Sequence, residues 1–134
     1  MGEIVAGSMR QERVLVTPDR AIDFLGVESA RVLSTPHLVG LLEMVCRNLL
    51  VSFLPSGQDS VGTHVDLRHL AATPIGMQVT LRAEIISVDG RRVRFRIEAR
   101  DEQEKIAEGT HERFVMDIER FASRMETKAK RCSP

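Results

Sequence analysis

Residues 34–50 read STPHLVGLLEMVCRNLL, and the way this stretch folds decides the rest of the chain. Leu38, Leu41, Leu42, Val45, Cys46, Leu49 and Phe53 recur at the spacing of one face of an α-helix. Ser34 or Thr35 can cap that helix, and Pro36 suits its first turn, where a missing N–H costs nothing. LPSGQ at 54–58 ends it. One residue breaks the pattern. Glu43 sits inside a run of Leu, Val, Met and Cys, and burying a carboxylate is costly unless it is paired or put to use. At about 100° per residue it falls beside Val39 and Leu50, on the margin of the apolar stripe. An ion pair with Arg47, one turn on, would account for it in purely structural terms.

A single helix this apolar needs a covering layer, and the flanking sequence supplies strands. ERVLVT from residue 12 reads as a strand stopped by Pro18, and residues 19–33 as a mixed segment with a short helical turn or two. After the helix, Val61, Thr63, Val65 and Leu67 alternate with polar or small residues, as do Met77, Val79, Leu81, Ala83 and Ile85. Val93, Phe95, Ile97 and Ala99 alternate with Arg92, Arg94, Arg96 and Glu98, and Asp89-Gly90 signals a two-residue hairpin. IAEGTHERFVMDI follows the polar turn DEQEK, so the four strands after the helix are read as succeeding one another in hairpin style. From Glu119 the tail carries Phe121, Ala122 and Met125 at helical spacing, then turns basic and is expected to fray. The expected fold is therefore α+β, one domain over 1–134 with a core of about 12–118 and a tail of 119–134. An antiparallel sheet wraps one long central helix. Its exposed sheet edges would be buried by pairing two copies.

Lys plus Arg and Asp plus Glu number 19 each, so the net charge of zero gives no reason to expect nucleic acid or an anionic membrane as a partner. No apolar run is long enough to span a bilayer. MGEIVAGSMRQER lacks a basic-then-apolar leader pattern, and two cysteines, Cys46 and Cys132, are too few for a disulfide scaffold. A reduced, cytoplasmic protein is expected. The histidines His37, His64, His69 and His111 show no metal-ligand spacing, and no metal site is expected.

Several residues could carry chemistry, each with a plainer role beside it. Thr35 can cap the helix, while the helix N-terminus offers N–H groups and partial positive charge to an oxyanion. Gly40 removes bulk early in the helix. His69, at a strand end, can donate a hydrogen bond or carry a proton near neutral pH. Gly62-Thr63 is either a bulge or a place where a ligand approaches the backbone. Arg91, Arg92, Arg94 and Arg96 form a solvated strand face or a phosphate-binding one, and Arg113 could act likewise.

Taken together, TPHLVGLLEMVC (35–46), GTHVDLRHLAATPIGMQVTLRAEIISVDGRRVRFRIEARD (62–101) and EGTHERFVMDIERF (108–121) resemble the hot-dog-fold thioesterases similar to fluoroacetyl-CoA thioesterase. The resemblance spans roughly residues 12–125. It implies a dimer that hydrolyses an acyl-CoA thioester of small or modest chain length, with no cofactor beyond the CoA of the substrate. It places the catalytic threonine on Thr35, the glutamate on Glu43 and the histidine on His69. It associates Gly62, Thr63 and Arg113 with substrate or CoA binding. The fluoroacetyl-specific enzymes carry an aromatic lid ahead of the threonine, whereas GVESARVLSTP (26–36) contains no aromatic. Pro36 and His37 also stand where a small-then-aromatic pair is expected. Thioester hydrolysis without fluoroacetyl specificity is the resulting expectation. The rival readings are an acyl-CoA hydratase, whose different acid and histidine motif is missing, a non-catalytic acyl-CoA or acyl-carrier binding module, and a purely structural dimer.

Overall fold

The computed structural model describes residues 3–132; Met1, Gly2, Ser133 and Pro134 lie outside the described residues. In chain order the elements are β1 (Met9–Leu15), α1 (Thr35–Val51), β2 (Gln58–His69), β3 (Gln78–Asp89), β4 (Arg92–Arg100), β5 (Lys105–Asp117) and α2 (Ile118–Arg131). Two single 3₁₀ turns, Pro18–Arg20 and Glu28–Ala30, occupy the mixed segment between β1 and α1.

α1 forms where its apolar spacing predicts. Leu38, Leu42, Val45, Cys46, Leu49 and Leu50 are buried, while Leu41 and Phe53 pack partly against that core. Its cap is Ser34, whose Oγ accepts the His37 N–H at 3.2 Å. Thr35 is the first helical residue, so capping is not its role and its hydroxyl is free for another partner.

The sheet is antiparallel throughout, in the order β1-β3-β4-β5-β2. It buries one face on α1. Val79, Leu81, Ala83 and Ile85 of β3 point inward, as do Val93, Phe95, Ile97 and Ala99 of β4. Arg92, Arg94 and Arg96 alternate outward and are exposed.

Four local expectations are corrected. β1 begins three residues earlier than ERVLVT, at Met9. The hairpin loop is Gly90-Arg91, because Asp89 pairs with Arg92; Gly90, at φ +60°, supplies the positive φ that the first loop position of a type II′ turn requires. β2 forms no hairpin with β3 but crosses to the far side of β5. The basic part of the tail is helical. Lys128, Lys130 and Arg131 form the last turn of α2, where cations offset the helix dipole.

Two irregularities matter for the site. Opposite β5, Gly62 faces Arg113 and His64 faces Glu112, so Thr63 is an extra, bulged residue. Gly109 on β5 has no space for a side chain, since a Cβ there would overlap the Asp66 carbonyl of β2. β2 and β5 are therefore drawn closely together beside the bulge.

Candidate active site

The candidate side chains gather in two places along α1. At its N-terminus, Thr35 Oγ1 lies 2.8 Å from His69 Nδ1, joining the start of the helix to the end of β2. The local folding explains the meeting. The Leu33 N–H donates to the Thr73 carbonyl, and Thr73 Oγ1 donates to Asp101 Oδ2 at 2.9 Å, so the AATP connection is pinned beside the helix start. The Leu70 N–H donates to the Ile106 carbonyl and holds the other side. His69 Nε2 is buried with no hydrogen-bond partner among the described residues. Burial lowers the His69 pKa below the ordinary histidine value, with the Ala71 backbone acting in the opposite direction. The imidazole is thus neutral near pH 7, with one nitrogen on Thr35 and the other unspent.

The N–H groups of this helix end are few. Pro36 has none, the His37 N–H is taken by Ser34 Oγ, and the Leu38 N–H donates to the Ser34 carbonyl. The Thr35 N–H has no partner among the described residues. A cleft of about 420 Å³ opens here, lined by Thr35 and His69 and by the apolar Ile22, Phe24, Val32 and Leu70. Phe24 is 77% exposed. An aromatic side chain therefore does reach this cleft, from a position just ahead of the segment GVESARVLSTP.

The second place is two helical turns along, where Glu43 faces β2 and β5. Its side chain is 36% exposed. Arg47 does not pair with it. Arg47 makes a forked pair with Asp59, Nη2 to Oδ2 at 2.5 Å and Nε to Oδ1 at 3.1 Å, because Asp59 on β2 lies closer to its side of the helix. Among the described residues no hydrogen-bond donor reaches the Glu43 carboxylate. Its neighbours are His111, with Nε2 at 3.8 Å from Oε1, and the positive charge of Arg113.

Gly62 leaves the carboxylate room: a Cβ there would stand 2.5 Å from Glu43 Oε1, 3.1 Å from His111 Cε1 and 3.6 Å from Arg113 Nη1. Arg113 is buried, 7% exposed, with its guanidinium held from within. Nε donates to Ser60 Oγ at 2.7 Å and Nη2 to the Ser60 carbonyl at 2.8 Å. Burial pulls the Arg113 pKa down, opposed chiefly by Glu43, and a guanidinium stays charged under such pressure. Thr63 Oγ1 donates to Glu112 Oε2 at 2.8 Å, which ties down the bulge. Cys46, behind this cluster, has its thiol pKa pushed up to about 12 by burial, so it is an inert thiol and not a nucleophile.

Of the six residues singled out from sequence, Thr35 and His69 meet directly, and Glu43, Gly62 and Arg113 meet one another with Thr63 on the bulge above them. The two groups are separate within one chain: eight helical residues set Thr35 and Glu43 about 12 Å apart along the axis. Sequence reasoning missed His111, Ser60 and Phe24. The signal for His111 was available. It shares strand parity with Arg113, and two polar residues at inward positions of a strand whose same face otherwise buries Ala107 and Val115 call for a reason.

Residues 16–119 match the family model of the fluoroacetyl-CoA-specific thioesterases. The chain is 38% identical over 120 residues to the fluoroacetyl-CoA thioesterase of Streptantibioticus cattleyicolor, covering 85% of this chain and 86% of that one. A variant of the fluoroacetyl-CoA-specific thioesterase, crystallised with fluoroacetate and CoA, superposes with a TM-score of 0.81 at 35% identity, over 88% of this chain and 99% of the other. A hot-dog-like protein from Thermanaerovibrio acidaminovorans, 23% identical, shares the fold at a TM-score of 0.84 over 96% and 93% of the two chains. With a family match across most of its length and a close relative over 85% of it, the chain belongs to the fluoroacetyl-CoA-specific thioesterase family and is a thioester hydrolase of hot-dog fold.

Proposed function

We propose that the substrate is an acyl-CoA of short or modest acyl length, released as free acid and CoA thiol, with Glu43, Thr35 and His69 as the catalytic groups. The observation that carries this reading is a half-buried carboxylate, set in an apolar helix, that no protein donor among the described residues engages. A carboxylate kept for structure at the edge of a core is ordinarily paired with a protein donor; one without such a partner keeps lone pairs for substrate or water. Glu43 either attacks the thioester carbonyl carbon, expelling the thiolate and leaving a mixed anhydride that water opens, or takes a proton from the water that attacks. The Thr35 N–H, at the positive end of α1, meets the oxyanion. His69, held by Thr35, presents Nε2 to developing charge or to the leaving sulfur. A thiolate leaves readily, so these side chains suffice and CoA enters only as part of the substrate. The bulge at Thr63, the gap at Gly62 and the charge of Arg113 flank the path of the thioester. Free Cys46 and Cys132 fit the reducing cytoplasm, where we place the protein.

We further propose that the enzyme is a homodimer whose β2 edges pair. In the sheet order β2 is an edge strand, with unpaired backbone groups that need cover. Antiparallel pairing of two β2 strands about a two-fold axis near Val65-Asp66 sets Gly62 of one chain opposite His69 of the other. Glu43 under Gly62 then meets the Thr35–His69 pair of the second subunit, and the separation within one chain is closed.

Thiol release from acetyl-, fluoroacetyl-, propionyl- and butyryl-CoA tests the chemistry. Glu43→Gln should lose on the order of a hundredfold or more in kcat. Full turnover by that variant would sink the mechanism, and tight binding without thiol release by the wild type would make the chain a binding module. Mixing Glu43→Gln with His69→Ala under subunit exchange tests the assembly. If sites form across the interface, each heterodimer regains one intact site, about a quarter of wild-type sites in an equal mixture. Sites confined to single chains would regain none.

A further inference from the structure

We propose that His111 is a positioning residue for the hydrolysis, holding the Arg113 guanidinium and keeping the Glu43 carboxylate without a donor; this rests on the reading of Glu43 given above. The imidazole is 1% exposed and stacks against Phe95, ring centroids 6.1 Å apart. Its Nδ1 lies 2.8 Å from the His64 carbonyl, which can only accept, so Nδ1 carries the proton. Its Nε2 lies 3.2 Å from Arg113 Nη1, which can only donate, so Nε2 is a bare lone pair. Both ring nitrogens are therefore assigned by their partners, and the ring is neutral.

That assignment acts on Glu43. Nε2 is 3.8 Å from Glu43 Oε1, and with no proton between them two acceptors face each other. The carboxylate feels the Arg113 charge but makes no hydrogen bond that would spend a lone pair. The third nitrogen of Arg113 is anchored by the imidazole as the other two are by Ser60. Protonating Nε2 would reverse both effects. The ring would donate to Glu43 as an ion pair and would repel the guanidinium it now holds.

The charged and titratable groups around the ring are few. Among the described residues, α1 presents Glu43, β5 presents Arg113 and β2 presents His64, while Phe95 of β4 stacks on the ring. Burial and the Arg113 charge hold the His111 pKa below the ordinary value, while the His64 carbonyl and Glu43 oppose them. The neutral form is thus kept at neutral pH, and acid is what releases it.

Two substitutions separate positioning from mere packing. His111→Leu keeps the bulk and removes the acceptor; kcat should fall about tenfold or more, the worth of one hydrogen bond to a charged group. His111→Gln places an amide oxygen near the Nε2 position, accepts from Arg113 and cannot be protonated. It should recover much of that loss and shift the acid limb of kcat/KM to lower pH relative to wild type. Nitrogen-15 spectra of the histidine side chains supply a readout independent of turnover, with His111 expected as the Nδ1–H tautomer at pH 7.5. A His111→Gln profile that superimposes on the wild type, or an Nε2–H tautomer, overturns the inference while leaving the hydrolase reading intact. No thiol release by the wild type overturns both.

Discussion

Replacing Gly62 with alanine should disable the enzyme without unfolding it. Gly62 does not adopt a positive φ, so alanine fits the backbone there. The added methyl would stand 2.5 Å from Glu43 Oε1. Ordinary contact needs about 3.5 Å, so the carboxylate must withdraw by about 1 Å. A misplacement of that size at a reacting group costs about a hundredfold in rate. The same movement is cheap for the fold. The Glu43 oxygen is the far end of a flexible, part-exposed side chain; the buried His111 Cε1, 3.1 Å from the methyl, must also give by a few tenths of an ångström, and the roughly 0.5–1 kcal/mol that alanine in a strand gains over glycine from backbone entropy offsets that shift. The expected result is a drop of about two orders of magnitude in kcat, with a denaturation midpoint close to that of wild type. Thiol-release kinetics and urea unfolding on the same preparation measure the two halves. If Gly62→Ala turns over within about threefold of wild type, the position of Glu43 under Gly62 is not the reacting geometry, and the reasoning fails.

Two further outcomes follow from the electrostatics. His69 and His111 both have folded-state pKa values below the ordinary value of 6.5, principally through burial. Between the folded value and 6.5 the unfolded chain binds more protons, so stability is full above pH 6.5 and is lost as pH falls through the folded values. Each histidine contributes a slope of at most about 1.4 kcal/mol per pH unit, and His111→Gln should flatten the curve when urea midpoints are compared at pH 7.5, 6.5 and 5.5. Arg47→Ala breaks the forked pair with Asp59 and should lower stability by at most about 1 kcal/mol while leaving thiol release unchanged. A large loss of activity in that variant would mean that Arg47 serves Glu43 after all.

The legible part of this fold is the part governed by period. Six of the seven apolar residues read at helical spacing lie in α1, the seventh, Phe53, falling just past its end, and β4 alternates strictly; each pattern leaves one solution, and both elements form as expected. The parts that escaped are set by contacts between distant segments. Whether Ser34 or Thr35 caps α1 cannot be told from a sequence in which both can. His69, 34 residues on, decides it by engaging the Thr35 hydroxyl. The partner of Arg47 escaped for the same reason, since a residue one turn away is visible in sequence and Asp59 across the strand is not. The bulge at Thr63 depends on how β2 meets β5, where Gly109 admits the Asp66 carbonyl. The resemblance pointed to Thr35, Glu43 and His69 but said nothing of His111, whose proposed role is exerted through its neighbours.

Glu43 shows why a broken pattern was the most informative feature of the chain. A carboxylate on the margin of a buried stripe must be stabilised, and the obvious means, a salt bridge to Arg47, would have consumed its lone pairs. The fold supplies charge without a hydrogen bond. The Arg113 charge offsets the cost of partial burial, while three of its five N–H groups are committed to Ser60 and His111 and none donates to Glu43. Gly62 then withholds the side chain that would have covered the carboxylate. Each of these four residues departs from what a strand interior ordinarily favours: a buried arginine, a buried histidine, a buried serine and a glycine. Local rules broken together, around one group, are the mark of a site whose stability was yielded to function.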